Sequence, residues 1–136
     1  MKRGCLPIIL AGCIVLVIAL FAMRHESADN SVRRWADDLR IRMTPPGAVL
    51  FDASPIQRAE RSATVTWEFE TRQTWAEYGT WVRDKLAPDF TFSLPKDEST
   101  IAAGRILPGD AQDVRIEQFG DGPPLRVRVT FHTFAD

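Results

Sequence analysis

Leu125-Arg126-Val127-Arg128-Val129-Thr130-Phe131-His132 places an apolar side chain at every odd position and a polar one at every even position. Side chains on a β-strand point alternately to opposite faces, so this stretch reads as a strand with one dry and one wet face. Just upstream, Val114 and Ile116 alternate in the same way with Asp113, Arg115 and Glu117. Asp121-Gly122-Pro123-Pro124 lies between the two runs and has the composition of a turn. The two strands should therefore pair as an antiparallel hairpin. Matching their dry faces leaves only registers in which an odd residue opposes an even one. One such register sets Arg115 against Arg128, which like charge disfavours. The next sets Glu117 against Arg128 and Asp113 against His132, and this is the register we expect.

Working outward, Thr64-Val65-Thr66-Trp67-Glu68-Phe69-Glu70 is a second clear alternation. Phe90, Phe92 and Leu94 alternate with Thr91 and Ser93, and Thr100–Leu107 forms a further strand closed by Pro108-Gly109-Asp110. Ala48-Val49-Leu50-Phe51 reads as a short strand. Thr74-x-x-Glu77 has capping-box spacing and opens a helix with Trp75, Tyr78, Trp81, Val82 and Leu86 on one face. Pro88 ends it. An earlier helix carries Val32, Trp35, Ala36, Leu39 and Met43 on one side and stops at Thr44-Pro45-Pro46-Gly47, where proline disfavours helix before it. Trp35 is expected to pack on the domain, with a place at lipid headgroups as the alternative.

These elements define an α+β fold. A two-layer domain is expected, with an antiparallel sheet of four to six strands packed on one or two helices and preceded by a transmembrane helix. The element order resembles that of cystatin-like and NTF2-like domains, which implies a curved sheet wrapped around a helix. Gln112-Asp113-Val114 begins like the Gln-x-Val-x-Gly loop of cystatins, but Ile116 stands where glycine is needed, so inhibition is not carried over. Type IV pilins also join an apolar helix to an antiparallel sheet, but their Gly-Phe-Thr-Leu-x-Glu start is absent. The inward positions hold Trp67, Phe69, Trp75, Tyr78, Trp81, Phe90, Phe92 and Phe131. A filled aromatic core is the leading reading, and a lined pocket the other.

Ahead of the domain, Gly4 to Met23 runs without a charge, long enough at about 1.5 Å per residue to cross a bilayer's hydrocarbon core. No small-x-small exit follows, so an intact anchor over residues 4–23 is favoured over a cleaved signal. Leu10-Ala11-Gly12-Cys13 resembles the lipobox of bacterial lipoproteins, which would make Cys13 a lipidated N-terminus. The apolar run continuing through Leu20 departs from that pattern. Lys2 and Arg3 precede the span, while Arg24 is offset by Glu26 and Asp29. The positive-inside rule then leaves the N-terminus cytoplasmic and the domain outside. The expected division is 1–26 for tip and anchor, 27–47 for a juxtamembrane amphipathic helix and Pro-rich turn, and 48–136 for the globular domain. Lys2, Lys85 and Lys96 are the only lysines, an arginine bias that points to a bacterial source. The expected location is a bacterial inner membrane, with the domain periplasmic.

Chemistry is sparsely signalled. With 17 Lys+Arg against 18 Asp+Glu the chain lacks a basic footprint for nucleic acid. Both cysteines, Cys5 and Cys13, lie in the apolar segment, so the domain is neither a disulfide scaffold nor a thiol enzyme. His25 and His132 are too few for a metal site, and no cofactor motif is present. His132 with Asp113 could serve as an imidazole–carboxylate pair, and Glu68 with Glu70 as paired acids, although both patterns are ordinary on a solvated sheet face. The leading expectation is a membrane-anchored, non-catalytic module for a protein partner or envelope assembly. A cystatin/NTF2-like pocket for a small molecule is the alternative. A third possibility is helix-to-helix contact within the membrane through Gly4, Gly12 and Ala19.

Overall fold

The computed structural model describes residues 5–94, 97–120 and 123–135, with the side chains of residues 5–8, 10, 24–29 and 135 outside that description. The elements run α1 (Cys5–Met43), β1 (Val49–Leu50), β2 (Gln57–Ala59), β3 (Ser62–Thr71), α2 (Trp75–Leu86), β4 (Thr91–Phe92), β5 (Thr100–Leu107), β6 (Asp110–Phe119) and β7 (Leu125–Ala135). The strands form one sheet in the order β1-β3-β7-β6-β5-β4, with β2 also paired to β3. Every pairing is antiparallel. β5, β6 and β7 are a meander, and Gly109 (φ +80°) supplies the left-handed residue in the β5–β6 turn. β3 closes against the far side of β7.

The β6–β7 hairpin has the register that charge pairing favours, with Glu117 opposite Arg128 and Asp113 opposite His132. Along β3 burial alternates residue by residue from Ser62 to Thr71, as its sequence alternates. The dry face collects Val65, Trp67, Phe69, Val114, Ile116, Val127, Val129 and Phe131, all buried. Tyr78, Val82 and Leu86 of α2 and Val32, Ala36, Leu39 and Met43 of α1 cover it. Two helices on one face of an antiparallel sheet make a two-layer α+β domain. Each fully enclosed large side chain contributes about 1.5–3 kcal/mol by leaving water. Trp67, Phe69, Tyr78 and Phe131 are each at most 1 % exposed, so the aromatic centre is filled. Trp75, Trp81 and Phe92 sit half-buried at its rim.

α2 starts at the expected capping box: the Glu77 N–H donates to Thr74 Oγ1 (3.2 Å) and the Thr74 N–H to Glu77 Oε2 (3.3 Å). α1 is one helix of 39 residues, about 58 Å long at 1.5 Å per residue. The expected division at residue 26 therefore falls inside an unbroken helix, whose last three turns are part of the core. Its C-terminal end is tied down at three points. The Tyr78 hydroxyl donates to the Met43 carbonyl (3.0 Å). Arg42 donates to Asp89 Oδ2 (2.8 Å) and the Lys85 carbonyl (3.0 Å), and Arg40 to the Phe51 carbonyl (2.9 Å).

Three details differ from the sequence reading. The sheet has seven strands rather than four to six, because β2 is wholly exposed and shows no alternation to announce it. Phe90 lies outside β4, in the turn that follows α2, where its N–H donates to the Leu86 carbonyl and its side chain is buried. Leu94, expected on the dry face, is 94 % exposed, because β4 stops at Phe92. Among the described residues no helix is long and apolar enough to cross a membrane, and the span expected over 4–23 lies partly outside those residues. Ile14 to Phe21 of α1 stand clear of the domain, with the large apolar side chains 53–66 % exposed.

Candidate functional site

The wet face of the sheet is where side chains are available, and strand pairing sets them in rows. One row is Gly104, Asp113, His132 and Thr64; the next is Ala102, Arg115, Thr130 and Thr66; the third is Thr100, Glu117, Arg128 and Glu68. The first two rows have a floor of small residues, Ala102 and Gly104, where a larger side chain would stand above the sheet. The result is an open groove of about 820 Å³, walled by β4 on one side and by Asp113, Arg115, Thr130 and His132 on the other. At Gly104 a Cβ would meet Asp113 Oδ1 at 2.8 Å, so glycine lets that carboxylate lie over the strand.

His132 and Asp113 are thus cross-strand neighbours, as the register requires, but no hydrogen bond or ion pair joins them. The His132 ring packs on Phe134 instead, with centroids 4.0 Å apart and planes at 34°. Its Nε2 is enclosed and has no hydrogen-bond partner. Asp113 is exposed. This is not the geometry of an imidazole held by its carboxylate as a base.

The other half of the wet face is ionic. Arg128 Nε donates to Glu68 Oε1 (3.0 Å), and Arg126 lies 3.3 Å from Glu70 and 3.7 Å from Glu68. Both guanidinium groups rest on the Phe119 ring, at 4.9 and 4.6 Å from its centroid. Glu68 and Glu70 are therefore engaged by arginines, and do not stand as a free acid pair. Among the described residues no three His, Cys, Asp or Glu side chains converge as a metal site would need.

One polar cluster went unread in the sequence. Gln112 takes the inward parity of β6 and is fully buried. Its Oε1 accepts from Arg105 Nε (2.6 Å), while its Nε2 has no partner. Arg105 lies 4.7 Å over the Phe90 ring and 3.7 Å from Asp89. Burial draws its proton affinity down, and the Asp89 carboxylate opposes that shift. The signal was available: a glutamine where alternation calls for an apolar residue. Asp89 also receives Arg42, so the cluster joins α1, α2 and the meander. Cys13 is exposed and unpaired on α1, and the side chain of His25 lies outside the described residues.

No protein-family model, curated protein or solved structure matches this chain.

Proposed function

We propose that the chain is a single-pass membrane protein whose α+β domain stands outside the cytoplasm as a non-catalytic interaction module in the bacterial envelope. The observation that carries this reading is α1. Among the described residues of its N-terminal half, Ile14 to Ile18 and Leu20 are more than half exposed, and the same unbroken helix ends inside the core. A stripe of apolar surface on all sides of a helix needs a non-aqueous surround. The core supports the module half of the reading, because Trp67, Phe69, Tyr78 and Phe131 fill its centre and are enclosed there.

The test is fractionation of the full chain. It should stay with membranes through alkaline carbonate, leave them in detergent, and lose its domain to protease added from the periplasmic side. Recovery in the carbonate supernatant would overturn the anchor. A domain shielded until the membrane is breached would reverse the orientation.

A second reading rests on the groove beside β4. Its volume and its lining by Asp113, Arg115 and Thr130 suit a small polar ligand, in keeping with a cystatin/NTF2-like arrangement. Thr130→Trp would fill the groove without entering the core. Loss of ligand binding with unchanged partner binding would favour this second reading.

A further inference from the structure

α1 fixes which end of the sheet faces the anchor. Ser31, Val32 and Trp35 share a cavity of about 290 Å³ with the β2–β3 turn, Asp110 and Thr133. One turn further along α1, Ala36 and Asp37 border Ser54, Ile56 and Val65. At the far end Tyr78 reaches the Met43 carbonyl. The helix therefore ascends alongside β3, and the anchor-side tip of the domain consists of the β2–β3 turn, the β5–β6 turn and the end of β7.

The last wet-face row at that tip is Ile106, Ala111, Phe134 and Ser62. It differs from every row above it in being mostly apolar. Ile106 is 88 % exposed and Phe134 38 %. Pro108 lies in the adjoining turn. Ser31 follows Met23 by eight residues, placing it about 12 Å beyond the apolar stretch. The turns run roughly two strand residues further toward the anchor, about 7 Å, which brings them within the headgroup layer of a bilayer. Charge at this end is mixed, with Arg33, Arg34, Arg58 and Arg61 against Glu60 and Asp110, so acidic lipid is varied in the test to separate its attraction from the apolar contact.

We propose that the anchor-side tip of the sheet, formed by Ile106, Phe134 and the β5–β6 turn, rests in the headgroup layer of the membrane that α1 enters. The proposal rests on the reading of α1 as an anchor. The unbroken helix and its three ties to the domain hold the tip at that height, and burial of apolar surface holds it there.

The experiment uses the full chain carrying Cys5→Ala and Cys13→Ala in phosphatidylcholine nanodiscs. A nitroxide is attached at Ile106→Cys or, for reference, at Arg72→Cys on the opposite end; both sites are exposed, so the label leaves the core intact. The Ile106 label should be several-fold less accessible to a water-soluble nickel chelate than the Arg72 label, and more accessible to oxygen. Acidic lipid should leave that contrast unchanged. Equal accessibility in a chain that has entered the discs would overturn this proposal alone, and a contrast seen only with acidic lipid would overturn its apolar basis. A chain that fails to enter the discs would overturn the anchor reading and this one together.

Discussion

On β3, β6 and β7 the residues of one parity, from Trp67 and Ile116 to Phe131, are shut away from water, while their immediate neighbours Glu68, Glu117 and His132 remain in contact with it. The backbone hydrogen bonds are common to both faces. The faces differ in what a side chain meets. Inward, it meets α1 and α2, and its volume is fixed on all sides. Outward, it meets only its cross-strand partner, and polar exchanges such as Arg128 with Glu68 compete with water. Stability should therefore be concentrated on one face, leaving the other free to change its surface chemistry at low cost.

The sharpest way to break this contrast is to truncate matched aromatics. Phe131→Ala should lower the unfolding free energy by about 3–5 kcal/mol, whereas Phe119→Ala on the wet face should cost under about 1 kcal/mol. Chemical denaturation of the detergent-solubilised chain measures both. A similar loss at the two sites would abolish the distinction.

Tyr78 tests the enclosed side by pH. It is the single tyrosine of the chain, and burial pushes its hydroxyl well above the ordinary value of 10.0. Because the folded value is the raised one, its contribution is complete below about pH 10 and is lost as pH rises further, when the unfolded chain ionises first. Tyrosinate absorbance should thus appear together with loss of near-UV circular dichroism, not before it. Tyr78→Phe should remove this ionisation and cost about 1 kcal/mol at neutral pH for the lost bond to Met43.

Smaller effects sharpen the outer face. Arg128→Ala should cost only about 0.2–1 kcal/mol, since its ion pair with Glu68 is a cross-strand contact in water. Gly104→Ala should be smaller still, within about 0.5 kcal/mol, because the atom it displaces is the swinging end of Asp113. In a crystal structure of that variant the Asp113 carboxylate should have moved off β5.

Much of the architecture was legible because it follows from local rules. Alternation announced β3, β6 and β7, the Thr74–Glu77 spacing marked the start of α2, and like-charge repulsion between Arg115 and Arg128 was enough to select the hairpin register. β2 was not legible, since its three exposed residues, Gln57, Arg58 and Ala59, owe their strand conformation to β3 alone. Nor was the pairing of β3 with β7, which depends on closing a loop of more than fifty residues. The candidate site was legible at Asp113 and His132 as neighbours but not as a groove. The hollow comes from what is missing at Ala102 and Gly104, and small residues carry no pattern. The Arg105–Gln112 contact was hidden for a different reason: one inward glutamine looks like noise until its partner is placed.

The absence of any break in α1 has a consequence for bearing as well as height. A domain on a flexible stalk samples every azimuth about its tether, whereas on the proposed anchor one continuous helix would pass the rotational phase of the span to the domain. One residue inserted between Met23 and Ser31 would turn the domain by about 100° and lift it by about 1.5 Å. Seven inserted residues would return it almost to its original bearing while raising it by about 10 Å. The two insertions separate what the domain faces sideways from what it reaches below.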